Sequence, residues 1–104
     1  DALLGFSQGA LIASLVANEL YEKKKIKGLI SVCGVDSKRK DDQFSVPSFH
    51  IIGKTDGLRS RSLKLYEAFK GPKQLVEHTT GHKFPSSKEK DIAAKLAAFC
   101  SSIA

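Results

Sequence analysis

The ten residues Asp1-Ala2-Leu3-Leu4-Gly5-Phe6-Ser7-Gln8-Gly9-Ala10 decide the fold. Ala2-Leu3-Leu4 is a short apolar run that reads as a buried strand entering Gly5. From Gln8 to about Glu22, Leu11, Ile12, Leu15, Val16 and Leu20 recur at helical spacing, which predicts an amphipathic helix on that face. Between strand and helix lies Gly5-x-Ser7-x-Gly9, a GxSxG pattern in the setting a nucleophile elbow demands. Such a turn holds its serine in a strained backbone conformation and lifts the hydroxyl clear of the sheet. The residues two before and two after the serine are expected to crowd each other, so Gly5 and Gly9 fill the places that must be small. The Gln8 backbone N–H, at the positive end of the helix, is expected to face a developing oxyanion.

Working outward, Gly28-Leu-Ile-Ser-Val-Cys33 is a second apolar, β-rich run closed by Gly34. Asp36 to Ser45 is polar and loop-like, too short and polar for a large lid. Pro47 opens a third strand, Ser48 to Ile52, closed by Gly53. Leu58, Leu63, Tyr66 and Phe69 mark a helix beginning near Ser60 and stopped by Gly71-Pro72. Gln74 to His78 is a fourth, shorter strand. Ser86-x-x-Glu89 has the form of a capping box, and the helix behind it places Ile92, Leu96, Phe99 and Ile103 on one side. Strands that alternate with helices and are nearly continuous in apolar residues predict an α/β fold: a parallel sheet with helices on both faces. Functional residues in such sheets gather at the carboxyl ends of the strands.

A serine hydroxyl needs a base to take its proton. Of the three histidines, His50 lies inside an apolar strand and reads as core. His78, at a strand end, reads as exposed surface and is the alternative base. His82 follows Gly81 in the loop after the last strand, where a close backbone approach at the glycine would bring the imidazole over Ser7; it is the preferred base. The imidazole in turn needs an acid to hold its tautomer. Asp56 is the only carboxylate directly beyond the carboxyl end of a buried strand; Asp36, Asp41 and Asp42 belong to the polar loop and Asp91 to a helix start. Ser7, Asp56 and His82 also follow the chain order of α/β-hydrolases.

Composition narrows the alternatives. The chain has 104 residues, 41% hydrophobic and 27% charged, with Gly 8 and Pro 3, which fits one soluble globular domain and excludes collagen-like or disordered chains. No apolar run approaches the roughly 18 residues of a membrane span, and no secretory segment is visible. The formal net charge of +6 comes partly from Lys23, Lys24, Lys25 and Lys27 and from Lys38, Arg39 and Lys40. Neither cluster contains an aromatic for base stacking, so solvated surface is expected rather than a nucleic-acid partner. Cys33 and Cys100 have no metal-site spacing and are expected to be reduced core thiols of a cytoplasmic protein. Met is 0, and the first five residues read as the inside of a strand, so the chain is expected to be a piece of a longer protein.

The segment Asp1 to Ala10 resembles the nucleophile segment of the family serine hydrolases (FSH type), which are α/β-hydrolases. Val46-Pro47 through Ile52-Gly53-Lys54-Thr55-Asp56 is similar to their acid-bearing strand and loop, Arg61-Ser62-Leu63 to the helix after it, and Glu77-His78, Gly81-His82 and Pro85 to their histidine loop. Acyl-protein thioesterases and carboxylesterases share Gly-Phe-Ser-Gln-Gly and stay open as neighbouring assignments. The resemblance covers nearly the whole chain. It implies hydrolysis of carboxylic ester or thioester bonds in small to medium acyl substrates, through an acyl-enzyme and without metal or cofactor. It also implies strands before the nucleophile strand, one with a His-Gly loop that supplies a second oxyanion donor; neither stands in these 104 residues. The chain is therefore expected to be a single, partial α/β-hydrolase domain whose nucleophile strand is an open edge that could self-associate. The alternative expectation is a truncated, inactive hydrolase-like chain acting as an interaction module.

Overall fold

The computed structural model describes residues 1–37, 39, 42–86 and 88–104. Lys38, Lys40 and Asp41 of the polar loop lie outside the described residues. The elements in chain order are β1 (Ala2–Phe6), α1 (Gln8–Glu22), β2 (Gly28–Val32), β3 (Ser48–Gly53), α2 (Arg59–Glu67), β4 (Lys73–His78) and α3 (Lys90–Ser102). The four strands form one parallel sheet in the order β1-β2-β3-β4, with Leu4 opposite Ile30, Ile30 opposite Phe49 and Ile51 opposite Val76.

Strand alternation divides the core between the two faces of the sheet. On one face Ile30, Val32, Phe49, Ile51 and Val76 pack against Ile92 and Phe99 of α3. On the other, Leu29 packs with Ala17 of α1, Leu65 of α2, and Phe44, Val46 and Phe69. Every residue of β2 and β3 is buried, because both strands are central and helices cover both faces. Fully buried rings such as Phe49 and Phe69 contribute about 1.5–3 kcal/mol each.

The face of α1 differs from the expected one. Ala10, Ser14 and Ala17 meet the sheet, whereas Ile12, Leu15 and Val16 are exposed, Ile12 at 62%. The tight turn at Ser7 brings α1 so near the strands that only small side chains fit beneath it. Ser14 satisfies its buried hydroxyl by donating to the Ala10 carbonyl at 2.7 Å. β1 is the edge strand beside this face, and Leu4 on it is also exposed.

Two other expectations need correction. Cys100 is exposed, one residue and about 100° round α3 from the buried Phe99. The capping box at Ser86 and Glu89 does not form: Glu89 is itself the N-cap residue of α3, without a side-chain cap bond. Its carboxylate instead accepts hydrogen bonds from the Thr79 N–H at 2.9 Å and the Thr79 hydroxyl at 3.1 Å. A tertiary partner from the end of β4 has outcompeted the local one. These bonds, led by the Thr79 N–H, hold the Glu89 carboxyl below the usual carboxylate range.

Candidate active site

Between β1 and α1 the chain reverses in one residue. Ser7 has φ 57° and ψ −124°, a combination that L-residues rarely adopt and that stores backbone strain. The turn is held by the Ser7 N–H donating to the Val32 carbonyl at 2.9 Å and the Ala10 N–H donating to the Ser7 carbonyl at 3.0 Å. Gly5 is obligatory here, since a Cβ on it would stand 2.5 Å from the Gly9 carbonyl oxygen and 2.6 Å from the Ala10 Cα. The expected crowding is one-sided, however. A Cβ on Gly9 would meet nothing within 4 Å, because Gly9 presents its carbonyl to Gly5 and its Cα hydrogens to open space. Gln8 is the first residue of α1, so its N–H is one of the four that have no acceptor within the helix.

Three side chains from three strand ends meet at this turn. The His82 Nε2 lies 2.8 Å from the Ser7 Oγ, and the His82 Nδ1 lies 2.7 Å from the Asp56 Oδ2. The other carboxylate oxygen, Oδ1, accepts a hydrogen bond from the Leu58 N–H at 2.8 Å. The Asp56 side chain is 1% exposed and that of His82 is 34% exposed, so the acid is sealed while the imidazole borders solvent. Burial pushes the Asp56 carboxyl upward, but the Leu58 N–H and His82 more than offset it and hold the group below its ordinary value. An ionised carboxylate only accepts, so Nδ1 carries the proton and the Nε2 lone pair faces Ser7.

The histidine loop is fixed by backbone contacts to the end of β3. Lys54 N–H donates to the His78 carbonyl at 3.0 Å and Thr55 N–H to the Thr80 carbonyl at 3.2 Å. Close approach does occur in this loop, but the glycine that permits it is Gly53: a Cβ there would run into the backbone carbonyls of Thr80 and Gly81. At Gly81 itself a Cβ would make only ordinary contacts. Phe6 packs against the His82 ring, centroids 5.1 Å apart, and stacks on Phe84 at 5.0 Å.

The other histidines are engaged elsewhere. His78 is fully buried rather than on the surface. Its Nδ1 accepts from the Thr80 N–H at 3.2 Å, and its Nε2 lies 3.8 Å from the Cys33 Sγ. It is buried because β4 alternates, turning Val76 and His78 inward. His50 is a core residue, its Nε2 2.8 Å from the Ser48 hydroxyl, with Tyr66 and Phe69 edge-on to its ring. Asp36 is engaged elsewhere, accepting from the Arg61 Nε at 2.8 Å.

Cys33 is the residue that sequence reasoning left out of the site. It stands one position past β2, at φ 50°, beneath the histidine loop. Its Sγ lies 3.4 Å from the Lys83 carbonyl oxygen and 3.9 Å from that of Gly81. Burial pushes its thiol pKa up. The available signal was positional: β2 runs parallel to β1 and β3, so its carboxyl end opens on the same edge of the sheet.

The family model described as serine hydrolase (FSH1) matches residues 1–94. The chain belongs to the FSH1 serine hydrolase family. Among relatives of this FSH1 chain, Esterase CG5412 of Drosophila melanogaster is 32% identical over 102 residues, covering 86% of this chain and 36% of that protein. Esterase OVCA2 of Xenopus tropicalis is 29% identical over 97 residues, covering 83% of this chain and 42% of that protein. The FSH1 chain thus spans well under half the length of these curated relatives. Among solved structures, the type II thioesterase BorB from the borrelidin biosynthetic cluster superposes with a TM-score of 0.71 at 14% identity, over 94% of this chain and 61% of that one. An alpha-beta serine hydrolase homologue from Coxiella burnetii gives 0.64 at 21% identity, over 99% and 49%. These likenesses show the fold of this FSH1 chain to be that of an α/β-hydrolase, of which it matches a part.

Proposed function

We propose that this chain carries the catalytic residues of a serine hydrolase that cleaves carboxylic ester or thioester bonds. The observation that carries the reading is the unbroken series Ser7 Oγ, His82 Nε2, His82 Nδ1, Asp56 Oδ2, with gaps of 2.8 Å and 2.7 Å. Family membership supports the same class of reaction. In this reading the Ser7 oxygen attacks the acyl carbon as its proton passes to His82 Nε2. The imidazolium so formed is stabilised by Asp56, and the Gln8 N–H donates to the oxyanion of the tetrahedral intermediate. That intermediate collapses to an acyl-Ser7 ester as His82 gives its proton to the leaving alcohol or thiol. Water, deprotonated by His82, then releases the acid and restores Ser7. The substrate is a small to medium acyl ester or thioester.

Treatment with a fluorophosphonate probe tests the reading. Covalent labelling of the chain that disappears in Ser7→Ala is expected. Equal labelling of both, or of neither, would overturn it for this chain.

A second reading has its own observation. The edge strand β1 and the exposed Ile12, Leu15 and Val16 of α1 form a face suited to association with another chain, in which this one acts as an interaction module. A stable oligomer without labelling or turnover would favour it, and Ile12→Lys with Leu15→Lys should then return the chain to a monomer.

A further inference from the structure

Beneath the imidazole, three groups with different donor atoms converge. One ligand atom from each of Cys33, Asp56 and His82 lies within 4.8 Å of the other two. Thiolate, carboxylate and imidazole together are a donor set that selects zinc among the common divalent ions. Ordinary zinc bonds of 2.0–2.3 Å place tetrahedral ligands about 3.4 Å apart. The His82 Nδ1 and Asp56 Oδ2, now 2.7 Å apart around a proton, must therefore open by about 0.7 Å as the cation takes that proton's place, while Cys33, within 4.8 Å of both, closes on them by up to roughly 1 Å. His82, the most exposed of the three, lies on a loop and gives access from solvent. The Cys33 Sγ lies 3.4 Å from the Lys83 carbonyl oxygen, a neutral thiol contact that is given up when the thiolate binds a cation.

We propose that Cys33, Asp56 and His82 form an inhibitory site for a thiophilic divalent cation, zinc in the first instance. This rests on the hydrolase reading only for its consequence, not for the binding itself. The cation takes the His82 Nδ1 lone pair, the Asp56 carboxylate and the Cys33 thiolate, with water as fourth ligand. The thiol proton leaves to solvent. The proton that sat on Nδ1 also has no place there, and the neutral imidazole carries its one proton on Nε2. Nε2 then donates to the Ser7 Oγ instead of accepting from it, so the base is lost. Asp56, now bound to the cation, no longer holds the other tautomer. Removing the cation restores the original hydrogen bonds.

Two readouts on the full chain test this, both in a Cys100→Ala background to remove the exposed thiol. The first is cobalt(II) binding, read as the near-ultraviolet thiolate-to-metal absorption, which does not need a reactive Ser7. The band is expected in the Cys100→Ala chain and in its Ser7→Ala variant. It should vanish in Cys33→Ala and in Cys33→Ser. It should weaken in Asp56→Asn. The second is fluorophosphonate labelling against added zinc, each variant scored against its own zinc-free rate. Labelling should fall with zinc and return with chelator. Loss of the Cys33 ligand should raise the half-inhibitory zinc concentration by more than the roughly 10–100-fold that loss of an outer hydrogen-bond partner costs. Absence of the band, or undiminished zinc inhibition in folded Cys33→Ser, would overturn the site. The band without any labelling would support the site and count against the hydrolase reading.

Discussion

His82 and Asp56 are 26 positions apart in the chain, yet their side chains meet at 2.7 Å, with the carboxylate sealed from solvent. The Leu58 N–H occupies one carboxylate oxygen, which leaves the other to orient the imidazole. Asp56→Asn should keep the fold but present an amide that can donate to Nδ1 and so favour the wrong tautomer. A fall of about 10³–10⁴-fold in labelling rate or turnover is expected, measured with the fluorophosphonate probe.

The Asp56 carboxyl is held below its ordinary value, so its contribution to stability has a definite sign. It is fully present above the unfolded value of about 3.9 and is lost as pH falls through the lower folded value. Denaturant unfolding between about pH 5 and pH 3 should therefore show a smaller acid loss in Asp56→Asn than in the unmodified chain.

His50 behaves oppositely. Burial, with a smaller contribution from the nearby Lys73 charge, holds its pKa down to about 3. Below the unfolded value of about 6.5 the unfolded chain gains a proton that the folded chain refuses, so stability falls as pH falls across that window. At pH 4 this single group should cost on the order of 3 kcal/mol. Replacing it in His50→Gln should flatten the pH slope of the unfolding free energy between about pH 6.5 and 4, whatever the offset in absolute stability.

The two glycines of the elbow should respond in opposite directions. Gly5→Ala forces a Cβ into the Gly9 carbonyl and the Ala10 backbone, and overpacking of this kind costs about 1–3 kcal/mol. Because the turn itself must open, Ser7 labelling should fall with it. Gly9→Ala enters open space on a helix and should stabilise by about 0.5–1 kcal/mol with labelling retained. Urea unfolding and probe labelling of both variants check the pair.

Glu89 ties the start of α3 to Thr79, three positions before His82. Glu89→Ala should speed amide hydrogen exchange at Thr79 and Thr80 and slow Ser7 labelling by a few-fold, by loosening the loop that carries the imidazole. Thr79→Val, which keeps the N–H bond and loses the hydroxyl, should have the smaller effect.

The order of strands and helices was legible because each element has a local signature. Apolar runs at β2 and β3, the helical spacing of apolar residues in α1, and the Gly5-x-Ser7-x-Gly9 turn are all properties of neighbouring residues. The nomination of Ser7, Asp56 and His82 followed from parallel topology, since each stands just past a strand whose carboxyl end faces the same edge. What neighbours along the chain cannot carry is which side of an element is covered and by what. The apolar pattern of α1 predicted a face containing Ile12 and Leu15, but the closeness of helix and sheet selected Ala10, Ser14 and Ala17. His78 and His82 are four positions apart and similar in local context. Only the inward turn of β4 buries one and leaves the other at the surface. Glu89 answered Thr79 rather than its own helix, and Cys33 came to lie under an imidazole 49 positions later. Hydrogen-bond distances and exclusion of water depend on atoms brought together from distant positions, and those atoms have no shared neighbourhood until the sheet has formed.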